Sequence, residues 1–300
     1  MLNALTIDVE DYFQVEAFAS VIDPKKWENY PSRVEINTKK ILDILDEYQI
    51  NATFFCLGWV AERQSDLIKE ILARGHEVAS HGYAHQPIYK QSPDIFRQDI
   101  RKTKKILEDI TGKPVFGYRA PTYSITQKTL WALEILAEEG YKYDSSIFPI
   151  RHDLYGIPDA PRFPFNVNTL IPSNVQTRLI EFPLTTLRIL NLNIPIAGGG
   201  YFRLFPYVFI KKALKHINVK EKKLFIFYFH PWELDPNQPR INHIPWRSRF
   251  RHYVNLDKTE KKLKKLLSDF KFSTVLEVLS IHSLLKNSDA YYLYPTCSLV

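Results

Sequence analysis

The stretch "LTIDVEDYF", residues Leu5 to Phe13, places three carboxylates at the end of a short apolar strand. These carboxylates belong to Asp8, Glu10 and Asp11. Downstream of this stretch, strand-like apolar segments alternate with helical patterns. Such alternation is typical of a parallel sheet or an α/β barrel, because parallel strands need a crossover connection that is usually a helix. We therefore predict an α/β fold.

The predicted elements cover most of the chain. Strands are predicted at residues 5–8, 52–57, 77–80, 114–119 and 224–229, and helices at about 35–47, 64–74, 93–110, 126–139, 207–216 and 258–270. The part after Asp144 is rich in proline and short strands. We predict a single domain over residues 1–300, with a core of about 3–150 and 179–275, inserted loops at about 151–205 and an arginine-rich loop at about 238–256.

Composition limits the class of protein. The chain has 300 residues and is 45% hydrophobic, which is enough for one buried core. Its longest apolar run, "LFIFYF" at 224–229, is far shorter than the roughly 20 residues of a membrane-spanning helix. The first strand begins close to Met1, which leaves no room for a signal peptide. Cys56 and Cys297 form no metal motif and fit a reducing compartment. We therefore expect a cytoplasmic protein.

The net charge of +7 is unevenly distributed. The run "KTEKKLKK" at 258–265 indicates the solvated face of a helix. The segment from Arg240 to Arg251 carries four arginines, together with Trp246 and Phe250. Contact with an anionic or sugar ligand is one interpretation of this segment, and nucleic-acid binding is another. No nucleic-acid-binding motif accompanies the charge, so we predict no nucleic-acid partner.

The segment "GHEVASHGYAHQ" contains His81 and His85, just after a predicted strand. A spacing of four residues puts both imidazoles on one side of a helical turn, where they can share a metal. The spacing alone also occurs by chance in a chain with 9 histidines. Zinc proteases place a glutamate beside the first histidine of such a pair, whereas Gly82 follows here. A base must therefore come from elsewhere, and the acids of the opening stretch are available.

Three further residues follow predicted strands. His230 ends the apolar strand of "FYFHPWELDP", Arg119 opens "RAPTYS", and Asp144 lies in "YKYDSSIFP". Each has a purely structural alternative: a histidine bonded to backbone, an arginine paired with a surface acid, and a turn or helix-cap aspartate. Residues at the carboxyl ends of strands form the active sites of α/β barrels, which favours a common site.

The order of these motifs resembles that of the NodB-homology polysaccharide deacetylases, carbohydrate esterase family 4. The motifs are, in order, "TIDVEDYF", "SHGYAH", "YRAPTYS", "YDSSIFP", "EFPLTT", "GGGYFRLFPY" and "FYFHPWELDP". The chain is most similar to the branch associated with exopolysaccharide loci and exosortase systems. The resemblance implies a distorted (β/α) barrel with a metal site at its mouth. It also implies a hydrolase that removes N-acetyl groups from amino sugars of a bacterial surface polysaccharide or its lipid-linked precursor.

The resemblance implies a role for each matching residue. Asp8 is the expected general base and His230 the expected general acid, with His81 and His85 as metal ligands. Arg119 is expected to hold the base, and Asp144 to orient the catalytic histidine or arginine. The expected metal is zinc, with cobalt or nickel as alternatives.

The third metal ligand departs from the family pattern. Most members have a second aspartate directly after the base, whereas Val9 occupies that position here. A continuing strand points Asp8 and Glu10 to one face, which favours Glu10. A turn after Asp8 would instead bring back Asp11, whose side chain is shorter and matches the family's ligand type. We favour Asp11.

Substrate contacts are expected from aromatic side chains in the motif loops, namely Tyr123, Tyr201 and Trp232. The backbone N–H of Tyr123 is expected to stabilise the oxyanion. The stretch Gly198 to Gly200 is either a loop that closes on the glycan or a turn between strands.

Two other functions stay open at this point. One keeps the fold but hydrolyses a formyl or cyclic amide, and the other is a non-catalytic glycan-binding or assembly protein. If the substrate is a lipid-linked precursor, the expected location is the cytoplasmic face of the membrane, with peripheral contact to its inner surface. The arginine-rich segment would then meet the phosphates of the lipid carrier.

Overall fold

A curled, mostly parallel sheet forms the centre of the protein in the computed structural model, which describes residues 1–171 and 176–285. Its nine strands are β1 (Leu2–Val9), β2 (Thr53–Cys56), β3 (Glu77–Ser80), β4 (Gly117–Tyr118), β5 (Tyr143–Asp144), β6 (Phe165–Asn166), β7 (Ile180–Glu181), β10 (Ile226–Phe229) and β11 (Lys271–Ser273). A separate hairpin consists of β8 (Thr186–Ile189) and β9 (Leu192–Pro195).

Ten α-helices connect and cover these strands in the described ranges. They are α1 (Val34–Glu47), α2 (Gly58–Arg63), α3 (Ser65–Ala73), α4 (Pro93–Thr111), α5 (Trp131–Glu138), α6 (Gly199–Leu204), α7 (Tyr207–Lys215), α8 (Trp246–Tyr253), α9 (Leu256–Asp269) and α10 (Val275–Ile281). Short 3₁₀ turns lie between them, including Pro121–Tyr123 and Pro231–Leu234. None of the helices seen in these ranges is long and apolar enough to cross a membrane.

The sheet has the strand order β10-β1-β2-β3-β4-β5-β7-β6, with β11 also paired to β1. All pairs are parallel except β6 with β7. The open, curled arrangement is a half-barrel, so the predicted α/β barrel class is confirmed. Because the strands are parallel, their carboxyl ends share one edge, and every predicted catalytic or metal-binding residue lies on or just after one of these ends.

Burial explains why β1 is a strand. Residues 3–9 are all buried, and the sequence "NALTIDV" is nearly continuous in apolar and β-branched residues, as expected for a central strand covered on both faces. Val9 packs in the main hydrophobic core, whereas Asp8 points to the opposite, polar side. Successive side chains of β1 therefore point alternately to the hydrophobic core and to the opposite, polar side of the sheet.

Helix α4 has clear start and stop signals. The Ser92 hydroxyl accepts the Ile95 N–H at its beginning, and Gly112 ends it in the left-handed conformation. Its buried side includes Phe96, Ile100 and Leu107, each of which stabilises the fold by about 1.5–3 kcal/mol when fully buried. This packing fixes the position of the polar residues that α4 turns toward the sheet.

The structure adds elements to the predicted ones. The helix expected at 64–74 is α3, and a short helix that was not predicted, α2, precedes it and ends at Arg63. The inserted loops contain β6 to β9 and all of α6, and the arginine-rich loop contains α8. Cys56 is buried, while Cys297 lies outside the described residues.

The glycine stretch is neither a closing loop nor a simple turn. Gly198 bridges to the backbone of Tyr228 with φ of 140°, and a Cβ at this position would lie 1.7 Å from the Tyr228 carbonyl oxygen. Only glycine permits this approach. The next residue, Gly199, begins α6, so the glycines join the inserted segment to the edge of the sheet.

Candidate active site

A carboxylate and two imidazoles meet at the carboxyl edge of the sheet. Ligand atoms of Glu10, His81 and His85 lie within 4.8 Å of one another. The Glu10 Oε2 atom is 2.9 Å from Nε2 of His85, is buried, and has no hydrogen-bond partner among the described residues. A buried carboxylate oxygen without a donor is costly unless a cation completes its surroundings.

The expectation for Asp11 is corrected by its position. Its Oδ2 atom accepts the backbone N–H groups of Arg33 and Val34 and the hydroxyl of Ser32, at 2.8, 3.1 and 2.8 Å. Asp11 thus caps the N-terminus of α1, where unpaired N–H groups and the helix dipole favour a carboxylate. Strand β1 ends at Val9, where the Glu10 N–H donates to the Asp8 carbonyl at 3.0 Å, and Glu10 lines the same cleft as Asp8.

His81 has the tautomer of a metal ligand. Its Nδ1 lies 2.8 Å from the Arg119 carbonyl oxygen and donates to it, which leaves Nε2 with a free lone pair. Burial lowers the pKa of His81 to about 4, so the imidazole is neutral at pH 7. Neutral imidazole is the form that binds a metal.

The loop between the two histidines is fastened at three backbone groups. The N–H groups of Gly58 and Trp59 at the start of α2 donate to the carbonyls of Gly82 and Tyr83, both at 2.9 Å. The Tyr83 N–H donates to both oxygens of Asp99 on α4, at 3.0 and 3.2 Å. His85 itself has a φ of 50°, in the left-handed region, so this loop is not the helical turn that the spacing predicted.

Arg119 holds Asp8 in the structure, as the sequence suggested. Its Nη1 donates to Asp8 Oδ1 at 2.7 Å and to the Thr6 hydroxyl at 2.8 Å. Its Nε and Nη2 donate to the carbonyl and hydroxyl of Ser145, at 3.0 and 2.9 Å. The guanidinium is fully buried, so its orientation and that of Asp8 are fixed together.

His230 is oriented by a carboxylate that sequence reasoning missed. Its Nδ1 lies 2.7 Å from Oε1 of Glu233, and its backbone N–H donates to the same oxygen at 3.0 Å. The other Glu233 oxygen accepts from Arg203 Nε at 2.6 Å. Burial lowers the pKa of His230, but Glu10 and Glu233 outweigh it and raise the pKa to about 9. The two carboxylates therefore favour the protonated form of His230.

Trp232 lines the cleft but also positions its neighbours. Its indole N–H donates to Glu10 Oε1 at 3.2 Å, and its ring stacks between His230 and His252 with centroid distances of 5.1 and 4.2 Å. At 5% exposure, Trp232 offers little free face to a sugar.

Asp144 does not have the predicted contact with His230 or Arg119. It accepts from the Ser146 hydroxyl and lies opposite Glu181 on the neighbouring strand. Burial raises the pKa of Asp144 to about 6, and burial together with Asp144 raises the pKa of Glu181. These shifts favour a protonated Glu181 beside Asp144, and Arg119 contacts Ser145, the residue next to Asp144, rather than Asp144 itself.

Two of the aromatic residues expected to contact substrate, Tyr123 and Tyr201, have different positions. Tyr123 lines the cleft, but its backbone N–H already donates to the Ala120 carbonyl at 3.0 Å and is not free for an oxyanion. Thr122 and Tyr123 both have left-handed φ values, of 57° and 52°, so this cleft wall is strained. Tyr201 packs against Phe148 and is not among the residues that line the cleft.

The cleft above these groups has a volume of about 210 Å³. One wall of the cleft is formed by Asp8, Glu10, His81 and His85. The other walls include Thr122, Arg203, Arg251 and His252. Asp8 Oδ2 and His230 Nε2 lie 3.8 Å apart in the wall of the cleft. Two carboxylates and three imidazoles are thus arranged around one small volume.

The donor set fits a divalent metal ion. Two neutral imidazole nitrogens and one carboxylate oxygen are typical ligands of catalytic zinc, which keeps a fourth position for water or substrate. Glu10 Oε2 is buried 2.9 Å from the His85 ring nitrogen without an aligned hydrogen bond, and this observation supports a cation between them.

Three residues of the site were missed from the sequence. Glu233 could have been found, because its spacing of three from His230 is that of a capping box. Arg203 and Asp99 had no local signal, since each reaches the site from a different helix across the fold.

Comparison with known proteins agrees with this geometry. Residues 27–143 match the family described as polysaccharide deacetylase, and residues 145–280 match a domain of unknown function, DUF3473. A peptidoglycan deacetylase of Helicobacter pylori is 35% identical over 117 residues, which are 38% of this chain and 38% of that protein. A peptidoglycan-N-acetylglucosamine deacetylase of Bacillus cereus is 38% identical over 98 residues, 32% of this chain and 36% of that protein. The chain thus spans little more than a third of the length of these relatives.

Solved structures share the fold over nearly the whole chain. A "putative polysaccharide deacetylase" from Mycobacterium smegmatis has a TM-score of 0.59 at 18% identity and covers 93% of this chain and 88% of its own. The structure named Puue Allantoinase has a TM-score of 0.56 at 13% identity and covers 99% and 91%. At these identities the likeness concerns the fold alone. In sequence, residues 27–143 are similar to the polysaccharide deacetylase family and residues 145–280 to DUF3473.

Proposed function

We propose that the protein is a metal-dependent N-deacetylase of amino sugars. The observation that supports this most strongly is the single cleft in which the carboxylate Asp8 and the imidazolium His230 flank Glu10, His81 and His85. Hydrolysis of an amide needs a base for water, an acid for the leaving amine and stabilisation of an oxyanion. Each of these needs has a candidate group in the cleft.

The proposed chemistry follows from the contacts of each residue. Glu10, His81 and His85 would hold the ion, which when bound polarises the acetyl oxygen and lowers the pKa of water to about 7. Asp8, whose Oδ1 is held by Arg119, keeps Oδ2 free to accept the water proton. His230 donates the Nε2 proton to the sugar amine as the C–N bond breaks, and Glu233 keeps its ring oriented.

We propose that both matched segments form one functional domain over residues 1–300. His81, His85 and Arg119 lie in the deacetylase match, whereas His230 and its partners lie in DUF3473. Glu10, which precedes both matches, lies 2.9 Å from His85 in the first segment and 3.5 Å from His230 in the second. This supports the arrangement, because the site needs residues of both segments.

The substrate we propose is an N-acetylated glycan of a bacterial surface polysaccharide, or its lipid-linked precursor at the cytoplasmic face of the membrane. The names of the Helicobacter and Bacillus relatives support the N-acetylated glycan. The assignment to exopolysaccharide synthesis and to the exosortase-associated branch rests on the "DVEDYF" resemblance. Zinc is the proposed ion, with cobalt or nickel as alternatives.

Acetate release tests the proposal. The purified protein is stripped of metal, reloaded with zinc, cobalt or nickel, and incubated with N-acetylglucosamine oligomers. We expect acetate and a free amine, and we expect His81→Ala to lose both bound metal and activity. His216→Ala, which replaces a half-exposed histidine on another side, is the matched control and should retain both. Full metal occupancy and turnover in His81→Ala would refute the site.

A second hydrolase function is separated by the choice of substrate. The same fold occurs in the structure named Puue Allantoinase, so the fold does not distinguish sugar amides from small cyclic amides. A panel of N-acetyl sugars, N-formyl sugars and cyclic amides, tested with the zinc-loaded protein, decides between them. Glycan binding without turnover of any panel member would instead favour the non-catalytic alternative.

A further inference from the structure

Helix α8 exposes aromatic and cationic side chains beside the cleft. Trp246 is 73% and Phe250 is 53% exposed, and Arg247, Arg249 and Arg251 are exposed as well. No aspartate or glutamate occurs from residue 236 to 256. Within residues 1–171 and 176–285, no arginine of α8 forms an ion pair with a carboxylate. The arginines that do are Arg33, Arg63, Arg74, Arg97, Arg101, Arg119, Arg162 and Arg203.

The helix has an inner and an outer face. At 100° per residue, Trp246 and Phe250 are neighbours on one face, with Arg247 on one side of them and Arg249 on the other. His252 lies on the opposite face, where it is buried and stacks on Trp232 and Phe18 with centroid distances of 4.2 and 4.5 Å. The inner face therefore fixes α8 to the active site, and the outer face is turned to the surroundings.

The composition of the outer face indicates its partner. A free phosphate would be bound by the arginines and would gain nothing from two exposed aromatic rings. Aromatic rings flanked by arginines are typical of surfaces that lie in the interface of an anionic bilayer, where the rings enter the headgroup region and the cations meet phosphates. The complete lack of acidic residues in this segment complements such a surface.

We propose that α8 docks the protein on a bilayer that contains anionic phospholipids. Arg251 belongs both to this helix and to the wall of the cleft, so docking through α8 brings the mouth of the cleft close to the headgroups. A glycan carried on a lipid would then reach the metal site without leaving the membrane. The proposed docking on a bilayer does not depend on the deacetylase activity. Only the access of a lipid-linked substrate to the cleft rests on the proposed function.

Vesicle flotation of the full chain tests the docking without any substrate. We expect binding to phosphatidylcholine vesicles that contain phosphatidylglycerol, and little binding to phosphatidylcholine alone. Each basic residue near an anionic surface contributes about a fivefold change in partitioning, so Arg247→Glu with Arg249→Glu should weaken binding by about 25-fold or more. Trp246→Ser with Phe250→Ser should also weaken it. Lys261→Glu with Lys265→Glu, on the exposed face of α9, makes the same charge change elsewhere and is the matched control.

The outcomes separate this inference from the deacetylase proposal. The Arg247/Arg249 variant should hydrolyse a water-soluble oligomer like the unmodified protein, since neither residue lines the cleft. Equal losses in the α8 and α9 variants would overturn the inference, because they would indicate a diffuse charge effect. Failure to bind anionic vesicles, or displacement from them by inorganic pyrophosphate at equal ionic strength, would overturn it as well.

Discussion

Replacing Asp99 by alanine removes the acceptor for the Tyr83 N–H in the loop that joins His81 to His85. In the structure, both Asp99 oxygens accept this N–H, at 3.0 and 3.2 Å. The carboxylate also lies against Gly82, where an added Cβ would be 3.0 Å from Oδ1. The loop keeps its two bonds from α2 in the variant, so a local change is expected rather than loss of the fold.

The expected size of the effect follows from the loss of the partly buried hydrogen bond to the Tyr83 N–H. A fully buried N–H without an acceptor costs about 1–3 kcal/mol, which is the upper range here. Loss of a residue that orients metal ligands typically weakens metal binding by about 10–100-fold. Asp99→Ala should therefore weaken zinc binding within that range. Asp99→Asn keeps one acceptor oxygen and should stay within about threefold of the unmodified protein.

Competition with a chelating dye measures zinc affinity of the metal-free proteins, and circular dichroism verifies that each variant is folded. A folded Asp99→Ala protein with unchanged zinc affinity would refute this reasoning, since the loop would then be held by α2 alone. Equal weakening in Asp99→Asn and Asp99→Ala would show that the charge of Asp99, rather than its acceptor atom, controls the loop.

Three other changes have defined outcomes. Glu233→Gln should lower kcat by about 10–100-fold with zinc affinity unchanged, because it weakens the orientation of the acid His230; steady-state kinetics and dye competition measure the two quantities. Burial lowers the pKa of His76 to about 4, below its unfolded value, so stability should fall as pH decreases from 6.5 toward 4. His76→Asn, which keeps an acceptor for the Ala52 N–H, should reduce that slope in urea titrations. Gly198→Ala should destabilise by at least about 2 kcal/mol, whereas Gly200→Ala, with only an arginine tip 3.8 Å away, should be nearly neutral in thermal unfolding.

The sequence predicted the strands and the edge that carries the site because these depend on short-range patterns. Continuous apolar segments mark the buried parallel strands, and the residues just after them reach the carboxyl edge by geometry alone. Asp8, His81, Arg119 and His230 were located in this way, and the structure brings them together around one cleft.

The sequence did not predict where the chain turns after β1. Asp11 was favoured by analogy of residue type, but its carboxylate is captured by three donors at the start of α1, more than twenty positions away. Asp144 likewise lies opposite Glu181 across the β5–β7 pair, whose second strand comes from the inserted segment. Contacts of this kind depend on the packed fold, and no local periodicity reports them.

The helix in the arginine-rich segment was also missed, for a different reason. The stretch Trp246–Tyr253 lacks the apolar stripe of a core helix, because His252 is its one buried residue. The sequence therefore predicted the exposed charge of this segment as part of a loop and not as a helix.

Anomalous diffraction at the zinc edge, from a crystal soaked with zinc, tests the central claim most directly. The account predicts one strong peak in the cleft, about 2.0–2.2 Å from Glu10 Oε2 and from the Nε2 atoms of His81 and His85. It also predicts that Asp11 remains at the N-terminus of α1. A peak coordinated by Asp11, or a fully soaked crystal with no ion between the two histidines, would contradict it.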